Sequence, residues 1–583
     1  MNSPAALLLA SLLLSSAALA ENWPSWRGPN QDGSSGETGL PAKFSTTEGV
    51  KWAAEMPGLS ASVPVIWGDN LFITAPIDAE KKLVGLCYDT QTGREKWRTT
   101  ISEGSEIQWD DKSNLASPSA VTDGDRVYFL FANAIAAACD FDGKIVWKRD
   151  FKETHGAFAT QWTYGSSPAL DGGKLYIQVL QRNEAFKFQD KFEKGTAGKD
   201  MRSYILAIDP ATGKDLWKHI RPSLANTESL EAFSSPIFAT SKGKRLMLIS
   251  GGDTLTIHDA ATGKEFSRIA TWNPPGEGYN KFFRLVPSPV TGDGMAIVCA
   301  PKNSPIFAMP LDSKGETKPV WQTEPKGVTS DVPTPAFYKG KFYVLDGGKK
   351  ILSCLEPKTG KVVWTGELGG KTKFESSPTV VDDKVYCINF WGEVYVAKAN
   401  SDAFELLAVN EMGNGSKPNG NAASVRASVA VTRRRSCSAL GRKWSQHPEY
   451  DGHCLTAFAL RAACGWLSAL RSGSCPSISV SLPPRHSSAM PRSWQTRQRH
   501  VGGVPGSGSN HDPNRIMIPS GSQDQYLYIG TDPVILSLRR KQDTNGYEKQ
   551  FHPLPWGARR SSQVRLVAEI LPPPGTGLGS GSN

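Results

Sequence analysis

The sequence predicts an all-β fold, a β-propeller of about eight four-stranded blades. Two repeated patterns predict it. The first is a Ser/Thr-Pro pair that precedes a strand of alternating apolar residues, and the second is a tight turn that ends in glycine with tryptophan four residues later. A supersecondary unit that recurs at a fixed period is typical of propellers, because each blade buries its faces only against its neighbours.

The first pattern marks the start of each inner strand. Its eight occurrences are Ser62-Val63-Pro64, Ser117-Pro118, Ser167-Pro168, Ser235-Pro236, Ser288-Pro289, Thr334-Pro335, Ser377-Pro378 and, with valine in place of proline, Ser428-Val429. Runs such as Val127-Tyr128-Phe129 follow, and their period of two predicts short antiparallel strands. Eight inner strands over roughly 410 residues leave about 50 residues per blade, which suits four strands.

The second pattern is clearest as Ala207-x-Asp209-x-x-Thr212-Gly213-x-x-x-Trp217. Glycine supplies the positive φ of the turn, and Asp and Thr side chains bond the backbone of the turn. The tryptophan then presents a large flat surface to the next blade. We therefore predict structural docking residues at Trp52, Trp97, Trp147, Trp217, Trp321 and Trp364, and expect Trp97, Trp217 and Trp364 to be largely buried between blades. The fourth unit has Ser267 where tryptophan is expected.

Closure of the ring requires strands from both ends of the chain. Val50–Trp52 precedes the first inner strand and is predicted to be the outer strand of the last blade, while Arg426–Val431 is its inner strand. Its middle strands must come from beyond residue 431, where Tyr526–Ile529 and Val534–Leu538 are the good strand patterns. We therefore expect the last blade to be incomplete and most of 432–583 to be irregular.

Residues 432–583 differ in composition from residues 21–431, the predicted propeller. They hold 16 Arg but 3 Lys, and the formal charge is about +11 there and about −1 over residues 1–431. The overall charge of +10 therefore does not indicate a nucleic-acid surface on the main fold. This aberrant basic Ser/Pro/Arg-rich tail is either out-of-frame sequence, a disordered extension or a basic binding arm. We favour the first and expect its deletion not to lower thermal stability.

Residues 1–20 are interpreted as a signal peptide. An apolar run at Leu7–Leu14 precedes the small-x-small site Ala18-Leu19-Ala20. A short membrane anchor is the alternative, although the run is too short to span a bilayer comfortably. We expect a periplasmic or secreted protein without a transmembrane segment. Cys87, Cys139, Cys299, Cys354 and Cys387 lie in apolar strand patterns and are predicted to be small buried hydrophobes. A disulfide between two of them is the alternative.

The turn motif resembles the tryptophan-docking repeat of the pyrroloquinoline-quinone (PQQ) propeller superfamily. The opening Trp23-Pro24-Ser25-Trp26-Arg27-Gly28-Pro29-Asn30 resembles the start of exported PQQ-binding-like propellers. The quinoprotein dehydrogenases of this superfamily imply PQQ with Ca²⁺, a vicinal disulfide, an acidic base and carboxylate ligands. The other branch implies a scaffold of outer-membrane assembly. This chain has no adjacent Cys pair and no CxxCH, so the resemblance favours the non-enzymatic branch.

Function is predicted at the mouth of the central channel, because the residues just before each inner strand converge there. The candidate binding residues carry charges of both signs and aromatic rings: Trp162, Tyr164, Glu231, Arg284, Asp331, Glu375 and Arg426. Solvated loop residues in ordinary salt bridges are the alternative interpretation. Two insertions, Gln181–Arg202 and Thr271–Phe283, are long enough to be binding loops.

The leading hypothesis is a monomeric binding or scaffolding propeller with a protein or glycan partner. It predicts no catalytic residue, no metal site, no cofactor and no nucleic-acid partner. The first alternative is a PQQ-dependent dehydrogenase with Ca²⁺, and the second is a glycan-binding or glycan-processing module. No nucleophile elbow, HExxH or P-loop occurs in the sequence.

Overall fold

A computed structural model describes residues 21–104, 113–412, 424–432, 435–440 and 456–460, the last two ranges for the backbone. The chain divides into two units, 1–471 and 472–583. The predicted signal peptide, the second unit and the strand patterns at 526–529 and 534–538 lie outside the described residues. The described part is nearly all β-strand, so the predicted all-β class is confirmed.

The described residues form eight sheets of four or five strands. Sheet 1 consists of Val65–Trp67, Asn70–Ile77, Lys82–Asp89 and Glu95–Ser102. Sheet 2 consists of Val121–Thr122, Arg126–Leu130, Ile135–Asp140 and Ile145–Asp150. Sheet 3 consists of Ala169–Asp171, Lys174–Val179, Tyr204–Ile208 and Asp215–Ile220. Sheet 4 consists of Ile237–Ser241, Lys244–Gly251, Thr254–Asp259 and Glu265–Ile269, with Gly315–Thr317 added in parallel.

The second half of the ring repeats this pattern. Sheet 5 consists of Val290–Gly292, Met295–Cys299, Ile306–Pro310 and Trp321–Gln322. Sheet 6 consists of Ala336–Tyr338, Lys341–Asp346, Ile351–Leu355 and Val362–Glu367. Sheet 7 consists of Thr379–Val381, Lys384–Ile388, Glu393–Lys398 and Leu406–Glu411, with Ser34–Ser35 added in parallel. Sheet 8 consists of Ala430–Thr432, Arg435–Leu440, Thr456–Leu460 and Val50–Ala54.

Several short elements lie outside these eight sheets. An added hairpin lies at Phe186–Phe188 and Phe192–Lys194, inside the first predicted insertion. A short α-helix lies at Phe151–His155, and 3₁₀ turns lie at Asp78–Glu80 and Thr227–Leu230. None of the helices in the described part of the chain could cross a membrane.

The first strand of each of sheets 1 to 7 lies innermost. The first strands of sheets 1, 2 and 3 contact one another in turn, as do those of sheets 5, 6 and 7, and the first strand of sheet 1 also contacts Ala430–Thr432 of sheet 8. The strands of each sheet then run outward as an antiparallel meander. Apolar residues buried between neighbouring sheets, such as Tyr128 and Tyr176, form the core. Alternation with a period of two produces this arrangement, because successive side chains point to opposite faces of a sheet.

Sheet 8 joins the two ends of the described chain, and Val50–Ala54 is its outer strand as predicted. The expectation of an incomplete last blade is wrong. Its middle strands come from Arg435–Leu440 and Thr456–Leu460, which pair with each other, with Ala430–Thr432 and with Val50–Ala54. Pairing satisfies backbone groups that would otherwise face an open sheet edge. The composition of the tail therefore misled the strand assignment.

This pairing changes the expected effect of truncation. A chain that ends at residue 431 should have a lower melting temperature than a chain that ends at 471, because its Val50–Ala54 and Ala430–Thr432 strands lose their partners. Scanning calorimetry of the two truncated chains checks this expectation. Equal melting temperatures would contradict the pairing and support the earlier expectation that the tail adds no stability.

The six docking tryptophans bridge successive sheets by their indole nitrogens. Each Nε1–H donates to a backbone carbonyl of the next sheet. The bonds join Trp52 to Thr90 at 2.9 Å, Trp97 to Phe141 at 2.7 Å, Trp147 to Pro210 at 2.8 Å, Trp217 to Ala261 at 2.9 Å, Trp321 to Pro357 at 2.8 Å and Trp364 to Ser401 at 2.9 Å. Trp52, Trp147 and Trp364 are buried. The expected deep burial does not extend to Trp97 and Trp217, which remain partly exposed, as does Trp321.

Five of these indoles lie flat against the turn glycine of the next sheet. A Cβ added to that glycine would lie 2.5–2.7 Å from the ring in the pairs Gly93 with Trp52, Gly143 with Trp97, Gly213 with Trp147, Gly263 with Trp217 and Gly360 with Trp321. Each glycine also has a positive φ. Both the turn and the packing therefore require glycine at this position.

A backbone contact takes the place of the missing tryptophan in sheet 4. Ser267 lies at that position, and its hydroxyl donates to the carbonyl of Gly315 at 3.1 Å. Glu265–Ile269 then pairs in parallel with Gly315–Thr317, a segment that follows the third strand of sheet 5. A small side chain allows this close approach of two backbones, which an indole would prevent.

The five described cysteines Cys87, Cys139, Cys299, Cys354 and Cys387 are buried free thiols, which confirms their prediction as small buried hydrophobes. Burial raises the pKa of the Cys87 and Cys139 thiols to about 12. A thiol that stays protonated is a poor nucleophile and a poor metal ligand. These residues therefore act as packing groups.

Candidate functional site

A cavity of about 290 Å³ lies where the inner strands converge. We call it the channel cup. Residues at or just before the inner strands of all eight sheets line it, and so do Trp26 and Phe233. The cup brings together five of the seven predicted mouth residues: Trp162, Arg284, Asp331, Glu375 and Arg426.

The wall of the cup contains a ring of hydroxyls that links the sheets. The backbone N–H of each ring residue donates to the side-chain hydroxyl of the next at 2.8–3.0 Å. The order is Val63, Ser119, Ser167, Ser235, Ser288, Thr334, Ser377 and Ser428. We call these seven hydroxyls the hydroxyl ring. Val63 is the first residue of the series because its backbone N–H donates a hydrogen bond, whereas its side chain has no hydroxyl that could accept one.

The hydroxyl ring explains the Ser/Thr-Pro pattern in the sequence and corrects it at one position. In sheet 2 the ring member is Ser119, which follows Pro118, whereas Ser117 donates to the carbonyl of Asn114 at 2.7 Å. Position relative to proline therefore did not identify the ring member there. The inter-sheet hydrogen bond identifies it.

Two basic groups share one carboxylate at the rim of the cup. Glu375 accepts from Arg426 Nε at 2.8 Å and from Lys373 Nζ at 2.7 Å. Burial opposes ionisation of Glu375, but the two cations outweigh it and hold its pKa below the ordinary value. This carboxylate is therefore ionised at neutral pH and interacts with two positive charges.

The neighbouring part of the rim, before the inner strands of sheets 5 and 6, also carries paired charges. Arg284 Nη1 lies 3.5 Å from Glu228 Oε1. Asp331 Oδ1 accepts the backbone N–H of Lys302 at 2.9 Å. The ring of Phe282 is half exposed and lies beneath the ammonium groups of Lys281 and Lys302. Charged groups and an exposed aromatic ring thus lie close together on this part of the surface.

The other two predicted mouth residues do not line the cup. Tyr164 is buried and donates to the carbonyl of Gln178 at 2.6 Å, and burial raises its pKa. Glu231 is fully buried and accepts from Arg182 Nε and from the N–H of Gln161, both at 2.7 Å. Burial raises the pKa of Glu231 to about 7 in spite of Arg182. Both side chains turn into the packing between strands, and sequence position does not reveal that direction.

The N-terminal segment forms the floor beside the cup. Trp23 pairs with Ile66, the N–H of Thr122 donates to the carbonyl of Pro24, and Ser34–Ser35 pairs with Thr379–Val381. This segment therefore contacts the inner strands of sheets 1, 2 and 7. In the sequence this segment stands out by its two tryptophans and its arginine, which are unusual in an exposed terminus.

Arg27 is the central residue of that floor. It is 1% exposed, and its Nη1 and Nη2 donate to the carbonyls of Pro378 at 3.0 Å and Pro335 at 2.7 Å. Its guanidinium carbon lies 5.5 Å from the ring of Trp26, which lines the cup. Burial lowers the pKa of Arg27 to about 10, so it remains a cation at neutral pH.

The donor set of the cup fits an organic anion better than a metal. Arginine forks and hydroxyls bind carboxylates, and indole faces stack on planar rings. The two carboxylates that line the cup, Asp331 and Glu375, already accept from neighbouring groups. Within the described ranges, no three His, Cys, Asp or Glu side chains converge as metal ligands. A planar organic anion with several carboxylates therefore fits these donors.

The comparisons with solved structures agree with the propeller fold. A quinohemoprotein alcohol dehydrogenase from Comamonas testosteroni is 14% identical, has a TM-score of 0.53, and matches over 78% of this chain and 82% of its own. A europium-containing methanol dehydrogenase is 12% identical, has a TM-score of 0.52, and matches over 72% and 89% respectively. At these identities the likeness shows the fold alone.

Two curated relatives are described as polyvinylalcohol dehydrogenases. The protein from Pseudomonas sp is 26% identical over 204 residues, which are 35% of this chain and 28% of that protein. The protein from Sphingopyxis sp. (strain 113P3) is 29% identical over 170 residues, which are 29% and 23%. The chain thus spans about a quarter of the length of the curated relatives it matches.

A family match covers more than half of the chain. The matched residues are 42–179 and 201–435, and the gap between them contains the added hairpin of the first insertion. The family is described as outer membrane protein assembly factor BamB, built on the PQQ repeat. The repeats, the docking tryptophans and this match together place the chain in the PQQ-repeat family of outer membrane protein assembly factor BamB.

Proposed function

We propose that this chain is an exported propeller that binds a small planar ligand with several carboxylates, of the PQQ class, in the channel cup. The observation that carries the proposal is the convergence of aromatic and basic groups on one cavity. Trp26 and Trp162 supply ring faces, while Arg284, Lys373 and Arg426 supply positive charge.

The charges of the rim support an anionic ligand. Three basic side chains and two carboxylates line the cup, and one of those carboxylates already lies between Arg426 and Lys373. A carboxylate from a ligand would therefore meet donors rather than repulsion. Charge-assisted hydrogen bonds of this kind contribute about 1.5–3 kcal/mol each.

Oxidoreductase activity is a second candidate, and the names of the two curated relatives favour it. A bound quinone supplies a two-electron acceptor for alcohol oxidation. In this chain the arginines would orient the ligand, and the Asp331 carboxylate in the cup would accept the proton of an alcohol. We assign no step to a metal, because the donor set does not fit one.

Scaffolding without a small ligand is a third candidate, supported by the family description as an assembly factor. It requires a protein partner on the outer faces rather than an occupied cup. Binding of a glycan belongs to the same group of surface functions. Co-purification with envelope proteins and a carbohydrate array would detect these partners.

Ligand binding is tested by titrating the purified full-length chain with PQQ while indole fluorescence is followed. Saturable quenching is expected. Arg284→Gln should weaken binding about tenfold, because one charge-assisted contact is lost. Arg245→Gln is the matched control, since Arg245 pairs with Asp171 outside the cup.

Activity is measured in the same preparations by dye-linked oxidation of polyvinyl alcohol and of simple alcohols. Binding with turnover supports the oxidoreductase, and binding without turnover supports a ligand-binding propeller. If PQQ does not bind, or if Arg245→Gln weakens it as much as Arg284→Gln, the proposed site is wrong and the scaffolding candidate gains support.

A further inference from the structure

Arg27 is a buried cation that forms no salt bridge with a described carboxylate, although the nearby Asp32 carboxylate acts on it electrostatically and favours its charged form. Its hydrogen-bond partners are the carbonyl oxygens of Pro335, Pro378 and Asp32, and no described carboxylate lies within 4.0 Å of its guanidinium. The Asp32 carboxylate instead accepts from the N–H and the hydroxyl of Ser34. A buried charge is costly unless an opposite charge compensates it.

One donor of this guanidinium is unused. Arg27 Nε is buried and has no hydrogen-bond partner in the structure. Arg221, the comparable buried arginine of the outer region of sheet 3, uses all three of its nitrogens, on Thr256, Gly251 and Thr254. A buried donor without a partner needs an explanation, and an ion or water that binds there is one of those that apply.

The hydroxyl ring has unused donors as well. Each of its seven hydroxyls accepts a backbone N–H, and none donates its own proton to a group in the described residues. A hydroxyl that accepts a hydrogen bond becomes a better donor through polarisation. Six of the seven residues line the cup: Ser119, Ser167, Ser235, Thr334, Ser377 and Ser428.

Arg27 and the hydroxyl ring lie beside each other. The carbonyls that hold Arg27 belong to Pro335 and Pro378, which directly follow the ring members Thr334 and Ser377. Gly33 packs so closely that a Cβ there would lie 1.8 Å from Arg27 Nη2. The guanidinium is therefore held firmly next to the ring.

We propose that the floor of the channel cup is an anion site, in which the hydroxyl ring and Arg27 bind a carboxylate or a small oxyanion. The site goes beyond the proposed planar ligand and does not depend on it. The anion is either free in solution or the terminal carboxylate of a larger ligand in the cup. Both sources present the same acceptor oxygens to the same donors.

The first test uses the full-length chain without PQQ. Melting temperatures are measured in sodium acetate, sodium phosphate and sodium chloride at equal ionic strength and pH 7. An anion that binds only the folded chain raises the melting temperature, by about 2 °C at ten times its Kd. We expect this rise in acetate and phosphate relative to chloride.

Variants locate the site by the size of this anion-dependent rise rather than by stability itself. Arg27→Gln and Ser377→Ala should abolish the rise. Arg221→Gln and Ser117→Ala should keep it, because Arg221 has all its nitrogens satisfied and Ser117 lies outside the ring. Ser377→Ala keeps the test valid if Arg27→Gln does not fold.

A crystal grown with selenate provides an independent measurement, with an anomalous peak expected within hydrogen-bond distance of Arg27 Nε. Competition then separates the two sources. If acetate weakens the binding of PQQ, a carboxylate of the ligand occupies the anion site. If acetate leaves the affinity for PQQ unchanged, the site binds a free anion. The proposal is overturned if the wild-type chain shows neither the rise nor the peak, or if Arg27→Gln and Ser377→Ala both keep the full rise.

Discussion

Trp364→Ala is expected to lower the free energy of unfolding by about 3–5 kcal/mol, the range for truncation of a buried aromatic side chain. Trp364 is 6% exposed, contacts Tyr343 and Phe404, and donates from Nε1 to the carbonyl of Ser401 at 2.9 Å. Its removal leaves a cavity between sheets 6 and 7. Urea unfolding followed by circular dichroism measures the loss.

Two further variants define the origin of that loss. Trp364→Phe keeps an aromatic face but removes the hydrogen bond, so it should cost less than the alanine variant. Trp217→Ala removes a partly exposed indole that makes the same type of bond, and should also cost less than Trp364→Ala. If Trp364→Ala left the unfolding free energy unchanged, docking by this residue would be wrong.

Asp253→Asn is expected to raise the free energy of unfolding relative to the wild-type chain. This gain should be up to about 4 kcal/mol larger at pH 8 than at pH 4. Asp253 is 1% exposed, its Oδ1 has no partner in the structure, and its Oδ2 accepts from Asn273 Nδ2 at 2.8 Å. Burial raises its pKa to about 7, although the Asn273 and Tyr279 side chains favour the ionised form.

The sign of the pH dependence is set by whether the folded or the unfolded chain binds the Asp253 proton more tightly. The folded chain holds the Asp253 proton up to about pH 7, whereas the unfolded chain releases it near its ordinary pKa of 3.8. Stability of the wild-type chain therefore falls as pH rises from about 4 to 7. Asparagine cannot ionise, so the difference between the two chains should grow over that interval.

The same position suits asparagine in its backbone conformation. Asp253 has a φ of 61°, a left-handed value that asparagine tolerates well. Unfolding free energies of both chains are measured from pH 4 to 8. A difference between the two chains that stays constant over this range would contradict the raised pKa of Asp253. The control is Asp123→Asn, because Asp123 is a carboxylate with satisfied hydrogen bonds. Its Oδ1 accepts two backbone N–H groups.

The sequence by itself determined the propeller fold, because its main contacts are local. A turn glycine and the strands beside it lie within one repeat, so their spacing is visible along the chain. The flat contacts of Trp52 on Gly93 and of Trp147 on Gly213 follow directly from that spacing. The convergence of Arg284, Asp331 and Arg426 on one cavity also follows, since all three precede inner strands.

Only the tertiary structure decided which side chains face the cup and how the ring closes. Tyr164 and Glu231 also precede inner strands but turn into the core, because the buried Gln178 carbonyl and the partly exposed Arg182 side chain satisfy them there. The floor residue Arg27 and its carbonyl partner Pro378 are 351 residues apart. Pairings of that kind depend on closure of the whole ring, which no local pattern of residues encodes.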